Sequence, residues 1–226
     1  MNGGAAIFVK TPGYSPLKTR LAEGIGQAAA ERWYRLAAEA VAEVLAATPG
    51  VAPCWAVAEE TAEAAESWPG LPCIAQGPGG LGARMGRVHA ALLARHDFAL
   101  LVGADTPQLE PAQLALAVEW LSEVPPRLVM GPARDGGFWL IGGNRAPEPD
   151  DWTRVPCSRA STGAGFRAVM ERHGEWRMLQ TLCDVDQPAD LEHMLRELDA
   201  LAAPLPAQRR LAEWTRGLLS RPAGPG

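Results

Sequence analysis

Short, continuous apolar segments alternate with helical patterns along this chain, and that alternation constrains the fold more than any other feature. The clearest segment, FALLVGAD at residues 98–105, is apolar until it reaches Gly103 and Asp105. Strands that are apolar throughout are typical of a parallel sheet whose two faces are both covered by helices. The sequence therefore predicts an α/β fold built on a mostly parallel sheet.

The rest of the chain fits this pattern. Further strands are predicted at residues 5–9, 51–58, 72–75, 127–130, 138–141 and 178–183. Helices are predicted at residues 27–47, 59–70, 111–123, 162–172, from 188 onward, and after a glycine loop within 76–96. We expect one domain at residues 1–200, followed by a C-terminal amphipathic helix at 207–219 and a disordered tail within residues 201–226. The pattern leaves open whether that helix packs on its own domain or on a partner.

Composition narrows the class of protein. Lys and Arg number 21 against 26 Asp and Glu, a net charge of -5, which argues against a nucleic-acid-binding surface. The four cysteines are scattered without a C-x-x-C pair, so we expect free thiols rather than a zinc site or a disulfide framework. No signal-peptide pattern is present, and no apolar run approaches the roughly 18 residues of a membrane span. These observations predict a cytoplasmic protein.

The first strand leads into an unusual cationic loop. In IFVKTPGYSPLKTRL, residues 7–21, the apolar run stops at Lys10, and Lys18 and Arg20 follow at the expected start of a helix. Lysine and arginine at a helix start can bind a polyphosphate. The spacing matches neither a P-loop nor a G-x-G-x-x-G fingerprint. The alternative is a solvated loop whose cations pair with surface acids.

Carboxylates follow two other predicted strands. Asp105 ends the strand in LLVGADTPQL, and Asp184 and Asp186 lie in DVDQPADL before a helix that begins with proline. Mg²⁺ commonly takes one or two protein carboxylates together with substrate phosphates. In an extended segment Asp184 and Asp186 would point the same way. The alternatives are a turn cap for Asp105 and a helix N-cap for Asp186.

Two glycine-rich segments add candidate contacts. GPARDGGFWLIG places Asp135 before Gly136 and Gly137, which indicates a hairpin turn or a close approach of ligand to backbone. GGLGARMG projects Arg84 from the first turn of a helix, where it could meet an anion or lie exposed. No G-x-S-x-G nucleophile elbow and no histidine pair with metal-binding spacing is present.

Taken in order, these segments resemble the DUF2064 family, a bacterial group described as glycosyltransferase A-like or nucleotide-diphospho-sugar transferase-like. The resemblance covers residues 4–195, and K-T-R-L and G-A-D-T-P are its most telling elements. The opening and the D-V-D-x-P-x-D-L ending are also similar to phospholactate guanylyltransferases and, more distantly, molybdenum cofactor nucleotidyltransferases. The resemblance implies a Rossmann-like GT-A fold, with a mixed, mostly parallel sheet and helices on both faces.

The resemblance also implies roles for individual residues. Those implied for the nucleotide and its phosphates are Lys10, Pro12, Lys18, Thr19, Arg20 and Arg84. Those implied as metal ligands are Asp105 and Asp186, with Asp184 as a third candidate. Those implied on the acceptor side are Asp135, Gly136 and Gly137. Lys18, Arg20 and Asp105 would be catalytic. The chain departs from the family at Gly80, where an acidic residue is common, and this puts one acceptor contact in doubt.

The implied activity is that of a metal-dependent transferase acting on a nucleotide-activated substrate. It would use Mg²⁺ or Mn²⁺ and either a nucleoside triphosphate or a nucleotide-sugar, with an unidentified small-molecule acceptor. Nucleotidyl transfer and glycosyl transfer would share the same site. The alternative is a catalytically inactive nucleotide-binding or scaffold protein. The sequence does not predict the base, the sugar, the acceptor or the oligomeric state.

Overall fold

The computed structural model describes residues 2–157 and 159–220. Within them, one sheet has seven strands, which are β1 Gly3–Val9, β2 Val51–Val57, β3 Cys73–Ala75, β4 Phe98–Gly103, β5 Arg127–Pro132, β6 Phe138–Gly143 and β7 Glu175–Met178. The strand order across the sheet is β3-β2-β1-β4-β6-β5-β7. The strong apolar runs of the sequence, β1 and β4, therefore lie side by side near its centre.

Helices connect most of the strands. In the described residues these are α1 Thr19–Ile25, α2 Gln27–Ala46, α3 Ala62–Glu66, α4 Leu81–Leu93, α5 Pro111–Leu121, α6 Pro149–Thr153, α7 Thr162–Met170, α8 Pro188–Asp199 and α9 Pro206–Leu219. A 3₁₀ turn at Glu171–His173 extends α7. No helix of the described residues is long and apolar enough to cross a membrane.

The sheet is mixed but mostly parallel, as predicted. Strands β3, β2, β1 and β4 run parallel to one another, and β7 runs parallel to β5. Strand β6 is antiparallel to both of its neighbours, β4 and β5. A short turn joins β5 to β6, and a connection of that length can only join antiparallel strands.

Each face of the sheet has its own apolar core. Ala5, Ile7 and Val9 of β1 belong to the cluster formed with α2, α5, α8 and α9. The alternate residues Ala6 and Phe8 belong to the cluster formed with α4, α6 and α7. Because successive strand residues point to opposite faces, an unbroken apolar strand can supply both clusters. The predicted α/β architecture with helices on both faces is confirmed.

The prediction of a strand at residues 178–183 is wrong. Strand β7 ends at Met178, and Leu182 makes only an isolated bridge with Ala133. The ladder between β7 and β5 ends at the pair Met178 and Met130, next to a register shift in the pairing of β5 with β6 between Gly131 and Pro132. The predicted helix at 59–70 is also shorter, since α3 covers Ala62–Glu66, and α6 was not predicted.

The C-terminal helix packs on its own domain. Helix α9 lies against α2 and α8, with Leu211 fully buried in the larger apolar cluster. Gln208 Nε2 donates hydrogen bonds to the carbonyl oxygens of Pro107 and Leu109, at 2.8 and 2.9 Å. The predicted tail, at residues 221–226, lies outside the described residues.

Candidate functional site

A cleft of ≈ 790 Å³ opens at the carboxyl ends of β1 and β4. Its cationic lining residues are Lys10, Lys18, Arg20 and Arg159. Its acidic lining residues are Asp105, Asp135, Asp184 and Asp186. In open α/β sheets, the loops that follow parallel strands converge at this edge, which explains why residues so distant in sequence meet here.

Lys18 is the most constrained residue of the cleft. Its backbone is left-handed, with φ 47 and ψ 38, at the residue that precedes α1. Its Nζ donates to Asp105 Oδ2 at 2.8 Å and to the carbonyl oxygen of Val185, and the side chain is only 8% exposed. The ammonium also lies 5.9 Å from the ring centroid of Trp33. Lys18 thus links the loop after β1, the end of β4 and the loop before α8.

Arg20 and Asp186 form a second ion pair at the mouth of the cleft. Arg20 Nη1 lies 2.8 Å from Asp186 Oδ2, and the two side chains are 69% and 43% exposed. An exposed pair of this kind contributes little to stability, so a ligand could replace either partner at small cost. Asp186 is not the N-cap of α8, because that residue is Gln187 and the cap carboxylate belongs to Asp190.

Asp184 faces other carboxylates. Burial raises the pKa of Asp184 to about 6, and the charges of Asp105 and Asp135 add to the rise, while Lys18 opposes it. Crowding of this kind favours any cation that can neutralise the group. Asp184 is therefore buried near the charges of Asp105 and Asp135, whereas the carboxylate of Asp186 pairs with Arg20.

The donor set fits a divalent cation with two protein ligands. Among residues 2–157 and 159–220, no group of three or more His, Cys, Asp or Glu side chains is arranged to hold a metal ion. Mg²⁺ usually keeps several waters and takes one or two carboxylates plus substrate phosphates, so three protein ligands are not required. The carboxylates of Asp184, Asp105 and Asp135 are hard oxygen donors, and their combined negative charge would be neutralised by such an ion.

Arg84 does not line the cleft in the structure. It folds back on its own glycine loop, with Nε donating to the carbonyl oxygen of Gly79 at 2.8 Å and Nη1 to Gln76 Oε1 at 3.4 Å. Thr19, the first residue of α1, does line the cleft. Pro12 lies in the turn closed by the hydrogen bond from Tyr14 N to Thr11 O.

Asp135 and Gly136, both predicted to lie on the acceptor side, have different surroundings in the structure. Asp135 lines the cleft and accepts a hydrogen bond from Gly137 N at 2.7 Å. Gly136 has φ 87, and a Cβ there would lie 1.9 Å from the carbonyl oxygen of Ala160. A glycine is therefore required at position 136 by the backbone conformation and by packing against the segment before α7.

Three polar lining residues were not predicted as site residues. Gln76, which follows β3, is buried and donates from Nε2 to the carbonyl oxygens of Val9 and Ala56, joining the ends of β1 and β2. Tyr34 on α2 accepts a hydrogen bond from Lys10 N, and its burial raises the pKa of the phenol well above its usual value. Arg159 is the third. A polar residue directly after a strand, as at Lys10 after β1, was a usable signal for Gln76 after β3.

Comparison with known proteins agrees with this architecture. The profile of the family described as "Uncharacterized protein conserved in bacteria (DUF2064)" matches residues 36–159, more than half of the chain. A candidate nucleotide-diphospho-sugar transferase from Desulfovibrio desulfuricans G20 superposes with a TM-score of 0.83 and 25% identity, over 97% of each chain. No curated protein is significantly similar in sequence.

More distant solved structures share the fold. CMP:2-keto-3-deoxy-manno-octonic acid synthetase in complex with CTP has a TM-score of 0.57 and 13% identity, covering 89% of this chain and 100% of the other. A nucleotidyl transferase from Methanothermobacter thermautotrophicus has a TM-score of 0.54 and 14% identity, covering 87% and 99%. The fold is thus the Rossmann-like GT-A type found in nucleotidyltransferases.

Proposed function

Because the chain belongs to the DUF2064 family and has a nucleotidyltransferase-like fold, we propose that it is a metal-dependent transferase acting on a nucleotide-activated substrate. The observation that carries the proposal is the composition of the cleft at the ends of β1 and β4. There, lysine and arginine side chains lie beside a crowded group of aspartates. A polyphosphate with its divalent cation is a ligand that satisfies both sets of charges.

The cations are suited to phosphate oxygens. Lys10 is exposed at the end of β1 and makes no ion pair within the part of the chain that the structure describes. Arg20 is held only by an exposed pair, and a guanidinium can bind phosphate through two parallel hydrogen bonds. Lys18 lies deeper, on Asp105, where its charge would stabilise negative charge that develops at the reacting centre.

The carboxylates are suited to Mg²⁺ or Mn²⁺. Asp105 and Asp184 would hold the ion, with Asp186 and Asp135 close enough to the cleft to contact it or its waters. When bound, such an ion neutralises phosphate charge and polarises the bond that breaks. The side chains of this protein would position the two substrates so that one reacts directly with the other. No protein nucleophile is then needed.

The cationic residues favour nucleotidyl transfer. In that reaction an acceptor oxygen forms a bond to the α-phosphorus of a nucleoside triphosphate, and the bond to pyrophosphate breaks. Lys10, Lys18 and Arg20 line one side of the cleft and could span a triphosphate. Glycosyl transfer from a nucleotide-sugar is the second candidate, supported by the likeness to the D. desulfuricans protein over 97% of the chain.

A thermal-shift panel tests the proposal. The ligands are nucleoside triphosphates, nucleoside diphosphates and nucleotide-sugars, each with and without Mg²⁺ or Mn²⁺. A ligand at about 100 times its Kd stabilises the folded state by about 2.7 kcal/mol, which is a shift of several degrees. We expect a metal-dependent shift in the wild type that is lost in Asp105→Asn. The exposed acid Glu119, on α5, provides the matched control Glu119→Gln, which should keep the shift.

The released product then separates the two reactions. Pyrophosphate release indicates nucleotidyl transfer, and nucleoside diphosphate release indicates glycosyl transfer. A shift without turnover for any acceptor would favour an inactive nucleotide-binding protein. No shift with any nucleotide, under conditions where the protein is folded, would overturn the proposal.

A further inference from the structure

A second cavity, of ≈ 120 Å³, lies beside the polar cleft at the same edge of the sheet. We call it the apolar pocket. Its walls come from the ends of β1 and β4, the start of β6 and the beginning of α4, and include Phe8, Leu81, Met85, Leu101, Phe138 and Trp139. Most of these residues belong to the apolar core on the α4 face, so the pocket is a gap where that core reaches the surface.

The apolar pocket borders the cleft. Phe8 and Leu81 line both cavities. Leu81 is the first residue of α4, and it is 46% exposed although it has no polar group to present to water. Gly103 lies in the wall two residues before Asp105, and a Cβ there would lie 2.9 Å from Asp105 Oδ1. A ligand that reacts beside Asp105 would thus have this pocket within reach.

The chemistry of the pocket suits a hydrocarbon group rather than a nucleobase. Among its described lining side chains, the one N–H is the indole Nε1–H of Trp139, and this is already donated to the carbonyl oxygen of Gln180 at 3.1 Å. A nucleobase has polar edges that would find no partner there and would lose their hydrogen bonds to water. An apolar group makes no hydrogen bonds to water that it would have to give up, and its transfer from water into an apolar site is favourable.

The size of the pocket limits the group. An apolar protein cavity of about 150 Å³ holds one benzene molecule. The present volume of ≈ 120 Å³ therefore fits about four or five carbon atoms, by comparison with that cavity. Because the pocket reaches the surface at the exposed Leu81, a longer chain would leave its remainder in solvent.

We propose that the apolar pocket binds a hydrocarbon group of the acceptor, so that the acceptor is an amphiphilic molecule. Its reacting oxygen would lie in the polar cleft beside Asp105, and its apolar group would pass between Phe8 and Leu81. This inference rests on the proposed transferase function and adds the chemical class of the second substrate.

The test uses n-alkyl phosphates from methyl to octyl phosphate, titrated in the presence of Mg²⁺ by isothermal calorimetry. The phosphate group is expected to bind in the cleft, and the alkyl chain in the apolar pocket. We expect the affinity to rise about fourfold for each added methylene, since each is transferred from water to an apolar site, and to level off after about five carbons. In Leu81→Gln the rise per methylene, taken relative to methyl phosphate binding to the same variant, should fall by at least half. Leu116 on α5 is 48% exposed and far from the pocket in the fold, so Leu116→Gln should behave like the wild type.

Two results would overturn the inference. If methyl and hexyl phosphate bind equally well, the cleft binds phosphate but the pocket takes no hydrocarbon. If no alkyl phosphate binds, phosphate binding by the cleft has failed, and 1-hexanol then tests the pocket alone. Hexanol binding that is weakened in Leu81→Gln would support a hydrocarbon site, and no hexanol binding would overturn it.

Discussion

At the scale of single residues, the position of the Lys18 ammonium in the cleft requires an unfavourable backbone conformation at that residue. Among the described residues it is the one non-glycine residue with positive φ, at 47. For a residue with a Cβ, this conformation costs about 1–2 kcal/mol. The left-handed turn places the ammonium between Asp105 and Val185 O rather than in solvent. Strain of this kind is held by surrounding contacts and is frequent at functional sites.

Comparing two substitutions at Lys18 isolates this strain. Lys18→Ala and Lys18→Gly both remove the ion pair with Asp105, but only glycine adopts positive φ freely. We expect the glycine variant to be more stable than the alanine variant by about 1 kcal/mol, measured by urea unfolding. At Ala115, exposed within α5, glycine should instead cost about 1 kcal/mol relative to alanine. Equal or reversed stabilities at Lys18 would mean that its backbone is unstrained.

The sequence identified most of the charged residues of the cleft but not their pairing. Lys10 directly follows β1 and Asp105 comes two residues after the end of β4, and these positions were sufficient to find them. Asp184 and Asp186, expected to point the same way, both line the cleft, but Asp186 pairs with Arg20 while Asp184 is buried near Asp105. Val185, between them, donates its N–H to Asp105 O at 3.2 Å and accepts from Lys18 Nζ. These long-range bonds set the path of the loop, and no local pattern encodes them.

At the scale of elements, how well a strand or helix could be predicted from the sequence depended on how deeply it is buried. Strands β1 and β4 lie inside the sheet and are apolar on both faces, so they were predicted nearly to their ends. Strand β7 is an edge strand with the sequence EWRM and is only partly buried, so it lacks the apolar run that marks the others. Helix α6 has five residues, too few to show a helical period.

Helix α6 is fixed by one buried carboxylate. The side chain of Asp151 is fully buried and accepts hydrogen bonds from Arg172 Nη2, at 2.6 and 2.8 Å, and lies 3.1 Å from Arg154 Nη1. His173 Nε2 lies 2.6 Å from it. Burial alone would raise the pKa of Asp151. The hydrogen bonds from His173 and Arg172, with the charges of Arg172 and Arg154, hold that pKa below its usual value.

This network predicts an acid-dependent loss of stability. Since the pKa of Asp151 is lower in the folded state than in the unfolded chain, its contribution is present above the unfolded value, near 4, and is lost as pH falls through the folded pKa. The urea midpoint of Asp151→Asn should therefore lie below that of the wild type at neutral pH, and the gap should narrow between about pH 5 and pH 3. The exposed neighbour gives the control Asp150→Asn, for which little gap is expected at any pH. A gap for Asp151→Asn that is independent of pH would exclude the ionised carboxylate as its cause.

At the scale of the whole molecule, helix α9 packs against the domain that carries the cleft. The apolar pattern of residues 207–219 predicted a helix with one buried face, but amphipathicity does not say which surface covers that face. In the structure α9 completes the core on the α2 face, and Gln208 ties it to the loop that follows Asp105. The described part of α9 is thus continuous with the domain that carries the cleft, rather than an appendage after residue 200.

A substitution in α9 tests this continuity. Leu211 is fully buried against α2 and α8, so Leu211→Ala should destabilise the whole domain by about 2–5 kcal/mol, the range for a buried leucine. Leu219, on the same helix, is 42% exposed, and Leu219→Ala should change the stability by less than about 0.5 kcal/mol. Urea unfolding followed by far-UV circular dichroism should show a single transition that shifts as a unit in Leu211→Ala. If instead that variant loses only a small helical signal before the main transition, α9 unfolds on its own and the domain that holds the cleft is complete without it.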